Sequence, residues 1–424
     1  MSVHLSRRVL IKGGALVAAG SFLPQFARRA LADEDLGPGR RKALVFLFLR
    51  GALDGLHVLS PCGEPRFAQL RPQLALPAPD AQGRDQRLLD LGVPGFGLHP
   101  ALAPLLPFWQ EGSLALVHAV GSPDPTRSHF DAQDFLELGT PGVKGTPDGW
   151  LARSLREAAM PGEKRSPLDA VAVSARLPRA LQGAPDALAF ASLDQLRLRP
   201  MAGGPGGQKG RTEARTAFEA LYGQGGDEPV ATSGKEAFAA LDLLERKLGQ
   251  NVSPPSVPYP GGPIGQSLRQ LAQLIKADLG LRVGCADAGG WDTHAAQPAQ
   301  LASNLKQLAE ALSAFRRDLG PRAEEVVLVA ATEFGRTVRQ NGANGTDHGH
   351  ASVAFVLGGG VRGGRMHGRW PGLADGQLYQ GRDLAVTTDL RSVLAAAAAA
   401  QLGARDVQRL FPGFSGQPLA GLFT

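Results

Sequence analysis

The chain has 424 residues, 45 of them basic and 39 acidic, for a formal net charge of +6. Residues 1–32 hold five of the basic residues (Arg7, Arg8, Lys12, Arg28, Arg29) and no acidic one, so removing them from the 45 leaves 40 basic against 39 acidic groups on the remaining 392 residues. The positive charge therefore lies largely in the leader and is no argument for a nucleic-acid or anionic-membrane partner, so no nucleic-acid partner is expected, and the remaining length allows one large or two ordinary domains.

In chain order, the first element reads as an address. Ser6-Arg7-Arg8 precedes a modestly apolar run through Phe26, and Ala30-Leu31-Ala32 stands just before Asp33. A charged start, a short apolar run and an A-x-A site make a secretory signal peptide. The paired arginines point to the twin-arginine route, so the expected location is periplasmic or secreted, with the twin-arginine export machinery as a partner. The apolar run holds about 14 residues where a spanning helix needs roughly 20, so no stable membrane span is expected. Residues 33–424 are then expected to form a single α/β domain.

Lys42–Leu49 is a short continuous apolar run, as a buried parallel strand requires, and Ser113–Val120 is a second. Asp169–Ser174, Leu281–Ala286, Val326–Ala331 and Ser352–Leu357 are the third to sixth. Helical spacing of apolar residues falls over Ser267–Leu279 and Leu301–Leu319, and Thr388 is placed to cap an alanine-dense helix through Ala400. Strands alternating with helices predict an α/β fold with a mainly parallel central sheet flanked by helices. The Gly203–Gly210 run and the prolines from Pro254 to Pro263 bracket a stretch of about 200–263 that reads as a helical insertion or cap. Of the two cysteines, Cys285 lies in an apolar run and reads as a buried thiol; whether it meets Cys62 is open.

Polar residues with metal-binding side chains cluster around the ends of these runs, where open α/β sheets place their ligands. The segments are Arg50–Gly55, Pro125–Asp131, Asp287–His294, Thr332–Thr337 and Gly345–His350. They hold Asp54, His129, Asp131, Asp292, His294, Glu333, Asp347, His348 and His350. We take Asp54, Asp292, His294, Glu333, Asp347, His348 and His350 as the ligand set. Competing roles exist for several: Asp54 as a turn residue, Asp131 or Asp292 as a helix cap, His129 as a core histidine. Mixed carboxylate and imidazole donors suit zinc, manganese or iron better than calcium. His348 and His350, two apart in an extended segment, are expected to face one centre. Ser128 or Thr126 is a candidate nucleophile beside a metal, although Ser128 equally fits a cap for a helix from Phe130. Arg336 and Arg50 are candidates for holding an anionic group.

These segments, in this order, resemble domain-of-unknown-function family 1501, a bacterial family of exported proteins in which a twin-arginine signal is common. The resemblance runs from about Ala43 to Phe414 and rests on Phe48–Gly55, Gly121–Gln133, Gly290–Gln297, Glu333–Thr337, Gly345–His350 and Trp370-Pro371-Gly372. That family in turn distantly resembles the alkaline phosphatase and sulfatase superfamily. By that resemblance Asp54 stands for the aspartate after the first strand, Ser128 or Thr126 for the nucleophile, and Asp292 and His294 for one metal's ligands. The pattern departs at Glu333-Phe334, where a glutamate and a phenylalanine replace an aspartate and a histidine, and Asp347-His348 is left to supply the late ligands. The resemblance implies a metal-dependent hydrolase of phosphate or sulfate esters holding one or two divalent ions, zinc or manganese, with a small anionic ester as substrate. The rival expectation is a non-catalytic periplasmic binding or assembly protein that keeps the metal cleft.

Overall fold

The computed structural model describes residues 41–82, 86–159, 166, 168–184, 187–193 and 254–424. The leader at 1–32 and most of the 200–263 stretch lie outside the described residues. The six apolar runs each become a strand of one sheet. They are β1 (Ala43–Leu49), β2 (Leu114–Gly121), β3 (Ala170–Val173), β5 (Val283–Ala288), β6 (Val326–Ala331) and β7 (Ser352–Gly358). Between them the sheet gains β4 (Ala187–Phe190), and beyond them the two-residue strands β8 (Met366–His367) and β9 (Thr388–Asp389). The order is β8-β2-β7-β6-β1-β5-β3-β4, with β9 also pairing with β2.

Every pairing in this sheet is parallel except those of β7, which runs antiparallel to both β6 and β2. The reversal positions the site. Phe355 lies opposite Ala330 and Ser352 opposite Val120, so the start of β7 sits beside the ends of β6 and β2. The loop that enters β7 therefore meets the loops that leave its neighbours.

Helices cover both faces. They are α1 (His129–Leu138), α2 (Trp150–Glu157), α3 (Pro263–Lys276), α4 (Gln297–Asp318) and α5 (Leu390–Leu402). Alternation along β1 divides the core: Val45, Leu47 and Leu49 join the cluster with α3 and α4, whereas Leu44, Phe46 and Phe48 join the one with α2 and α5. Burial on both faces is why β1 reads as unbroken apolar sequence. Asp389, rather than Thr388, caps α5, its Oδ1 accepting from the Arg391 N–H at 2.9 Å. Thr388 instead belongs to β9. The helix ends at Gly403, whose φ of 80° is the left-handed turn that glycine supplies without strain.

The segment that closes the 200–263 stretch is pinned to α4. Asp318 accepts from Ser256 N–H and Oγ at 2.7 and 2.9 Å, from Tyr259 Oη at 3.1 Å and from Lys276 Nζ at 2.7 Å. Cys62 and Cys285 are both free, and Cys285 is the buried one. Among the described residues no helix is long and apolar enough to cross a membrane.

Candidate metal centre

Three loops deliver the chemistry. Ser128 ends the loop after β2 and caps α1, its Oγ accepting from the Asp131 N–H at 3.5 Å, which places His129 on the first turn. The loop after β5 carries Asp292 and His294 into α4, and the loop before β7 carries Asp347 and His348. Glycines let these loops touch. A Cβ on Gly349 would lie 2.3 Å from the Arg336 carbonyl carbon, and one on Gly51 would lie 2.8 Å from the Asp292 nitrogen. No side chain larger than hydrogen fits either place without moving backbone.

His129, Asp292 and His348 form a group able to hold a metal ion, with His294 against it. His348 Nε2 lies 3.0 Å from His129 Nε2, 3.0 Å from His294 Nε2 and 3.1 Å from Asp292 Oδ1. His294 Nε2 lies 3.0 Å from Asp292 Oδ1, and His129 Nε2 is 3.5 Å from Asp292 Oδ2. Donors bound at about 2.0 Å around a tetrahedral ion are roughly 3.3 Å apart, so the spacings among His129, Asp292 and His348 fit one zinc-sized ion.

The opposite ring nitrogens explain why the set points inward. His129 Nδ1 faces Glu333 Oε1 at 2.8 Å, His294 Nδ1 faces Asp347 Oδ1 at 3.2 Å and His348 Nδ1 faces the Arg127 carbonyl at 2.9 Å. Each partner is an acceptor, so each Nδ1 carries the proton in the neutral ring and each Nε2 presents a lone pair. His129, Asp292 and His348 then converge at 3.0–3.5 Å, and His294 Nε2 stands beside them, 3.0 Å from both His348 Nε2 and Asp292 Oδ1.

The surrounding charges set the electrostatics. Asp292 is held below the usual carboxylate range: burial works against this, but Arg336 Nη1 donates to Oδ1 at 2.6 Å and prevails. Glu333 is also lowered; burial opposes it, while His129, Gln133 and Thr332 donate to it. The Glu333 bond in turn raises His129, despite partial burial. His348 is lowered by burial. Phe334 forms a wall behind two of the rings, stacked at 4.9 Å on His129 and 5.1 Å from His348.

The structure thus brings together Asp292, His294, Asp347 and His348 from the expected set and separates the others. Asp54 is wholly buried in an ion pair, accepting from Arg71 Nη1 at 2.7 Å, Arg71 Nη2 at 3.1 Å and Gln297 Nε2 at 2.6 Å. Glu333 stands beside the centre, but its Oε1 accepts from Gly51 N–H, His129 and Gln133 and its Oε2 from Thr332, so it orients His129. His350 turns away and stacks at 4.2 Å on Tyr379, because the chain bends there and the two-residue alternation fails. Asp131 pairs with Lys144 at 2.7 Å.

The expected nucleophiles are engaged locally. Ser128 caps α1, and Thr126 Oγ1 accepts from the Ser128 N–H at 3.2 Å. Arg336 is buried against Asp292 and Thr346 and faces no open space for an anion. Arg50 is tied to Glu137, Asp287 and Gln133. The member left out of the expected ligand set is His129. Its place immediately after the second strand's loop was the available signal, and the core-histidine alternative concealed it.

A buried chain of polar groups joins the two regions. Gln297 donates to Asp54 and accepts from Thr346 Oγ1 at 2.7 Å; Thr346 Oγ1 accepts from Arg336 Nε at 3.1 Å; Arg336 reaches Asp292. Beneath it His57, His99 and His118 are buried and kept neutral, their pKa values lowered by burial to about 4, 3 and 4.

The model of the family described as protein of unknown function (DUF1501) matches residues 115–411, and the chain belongs to that family. No curated protein matches the sequence.

Proposed function

We propose that this member of a family without assigned function is an exported, divalent-metal-dependent hydrolase of small phosphate or sulfate esters, on an alkaline-phosphatase-like fold. The observation that carries the reading is the convergence of His129, Asp292 and His348, with His294 beside them, at a solvent-reached end of the sheet. Bound there, zinc or manganese would act as a Lewis acid on the ester oxygen and lower the pKa of a bound water. The chain's own groups have distinct tasks. Glu333, Asp347 and the Arg127 carbonyl hold the three tautomers. Arg336 holds Asp292, acting through it and not on the substrate. Phe334 closes the rear of the site to water. Water, rather than Ser128 or Thr126, is the attacking group in this reading, because both hydroxyl oxygens already serve the turn into α1.

The test is metal content of the purified protein, followed by turnover of aryl phosphate and aryl sulfate esters with and without added zinc or manganese. About one ion per chain and metal-dependent release of the phenol are expected. A loaded protein inert to both ester classes supports the second reading, a non-catalytic periplasmic metal-holding protein, which the engaged Ser128 and Thr126 favour. A protein that takes up no divalent ion removes both.

A further inference from the structure

The three donors of the group and the neighbouring His294 are not held equally. His129 is anchored to the wholly buried Glu333 at 2.8 Å and packed on Phe334. His348 is anchored to a backbone carbonyl at 2.9 Å and packed on the same phenylalanine. Their side chains are 24% and 23% exposed. His294 is 45% exposed, and its Nδ1 partner, Asp347, is 58% exposed. That contact is the longest of the three, at 3.2 Å, and the same Asp347 oxygen is shared with Asn341 Nδ2 at 3.2 Å. Among the described residues, the ring that meets His294 is that of His348, its centroid 4.8 Å away.

Resting on the metal reading above, we propose that His129, Asp292 and His348 are the permanent ligands and that His294 is a displaceable fourth. A tetrahedral ion with four protein ligands is closed, whereas a reactive one keeps a position open. His294 closes the site at rest and yields its place to an incoming anion or water. Its backbone stays fixed while the ring leaves: Asn341 Nδ2 donates to the His294 carbonyl at 2.9 Å, and the neighbouring Thr293 is buried. Only rotation of an exposed side chain and loss of one exposed hydrogen bond are needed, a small cost beside removing either of the half-buried, anchored imidazoles.

The experiment loads metal-free full-length wild type, His294→Ala, His129→Ala and His348→Ala with cobalt(II), read by equilibrium dialysis, visible absorption and circular dichroism. His294→Ala should keep one ion per chain with affinity lowered about tenfold, whereas the other two should lose on the order of 100-fold or more. The cobalt spectrum of His294→Ala should differ from wild type and return towards it with added imidazole. Azide should bind the variant's cobalt about tenfold more tightly than the wild type's, since no arm has to leave. Loss of metal in His294→Ala equal to that in His348→Ala, with all folds intact, overturns the proposal alone; so does an unchanged cobalt spectrum. Failure of the wild type to take up cobalt overturns the metal reading and this proposal with it.

Discussion

Asp54 and Asp292 look alike in sequence and do opposite work in the fold. Each lies beyond the carboxyl end of an interior strand, β1 or β5, and each meets an arginine, Arg71 or Arg336. Asp54 has both oxygens consumed and no exposure, so its charge is spent on Arg71 and Gln297. Asp292 gives its shortest bond to Arg336 through Oδ1, and its carboxylate remains 43% exposed among three imidazoles. An aspartate at a strand end becomes a metal-ligand candidate when its partner leaves lone pairs free; when the partner is bidentate and the site is dry, it becomes a pillar of the core.

That contrast predicts its largest effect at the buried pair. Asp54→Ala strands Arg71 in a site without solvent and should cost about 3–5 kcal/mol of stability. Asp292→Ala also strands the buried Arg336 and should lower metal-free stability, less because Asp292 itself is 43% exposed, but it alone should abolish metal uptake, which Asp54→Ala should leave in place. Chemical denaturation of both variants beside metal analysis checks this, and a metal-free Asp54→Ala protein with wild-type stability would erase the distinction. Metal itself should come next. Zinc at about 100 times its Kd should stabilise the wild type by about 2.7 kcal/mol and leave Asp292→Ala unmoved, read from melting with and without chelator.

Acid sharpens the comparison from the other side. His57, His99 and His118 have folded-state pKa values lowered to about 4, 3 and 4 by burial, against 6.5 when unfolded. Between about pH 6.5 and pH 4 the unfolded chain therefore binds more protons, so stability falls as pH falls through that window and is fully present above it. The fall should persist in metal-free protein, and His118→Phe should make it shallower by about one proton, measured by denaturation across pH. Glu333→Gln should weaken metal binding about 10- to 100-fold, since the amide no longer fixes the His129 tautomer as firmly. The smallest effect belongs to Ser128→Ala, a lost helix cap worth about 1 kcal/mol, with metal content retained.

The sheet was legible where burial on two faces forced unbroken apolar sequence, as in β1 and β6. It was not legible in β4, whose four residues Ala-Leu-Ala-Phe carry too little pattern to separate from a loop. Nor does composition encode the direction of β7, which depends on which neighbours it pairs with. The site was readable as a collection of loops and less so as a list of ligands. Glu333 and His129 exchanged expected roles because the outcome depends on Gly51 and Gln133 reaching the glutamate first, and those contacts span the whole fold. Arg71 gave no signal beside Asp54, since nothing local marks a pair 17 residues apart.

The position of the permanent donors along the chain has a consequence for folding. His129 and Asp292 are separated by roughly 160 residues and Asp292 and His348 by roughly 55, and an ion joining them would close both loops at once. Like a cross-link, it would remove conformations from the unfolded chain, and the penalty for closing so long a loop rises only slowly with length. The donors become neighbours only once β2, β5 and β7 have taken their places in the sheet, so an ion bound there would act as a late clasp on an assembled fold and not as a nucleus for it.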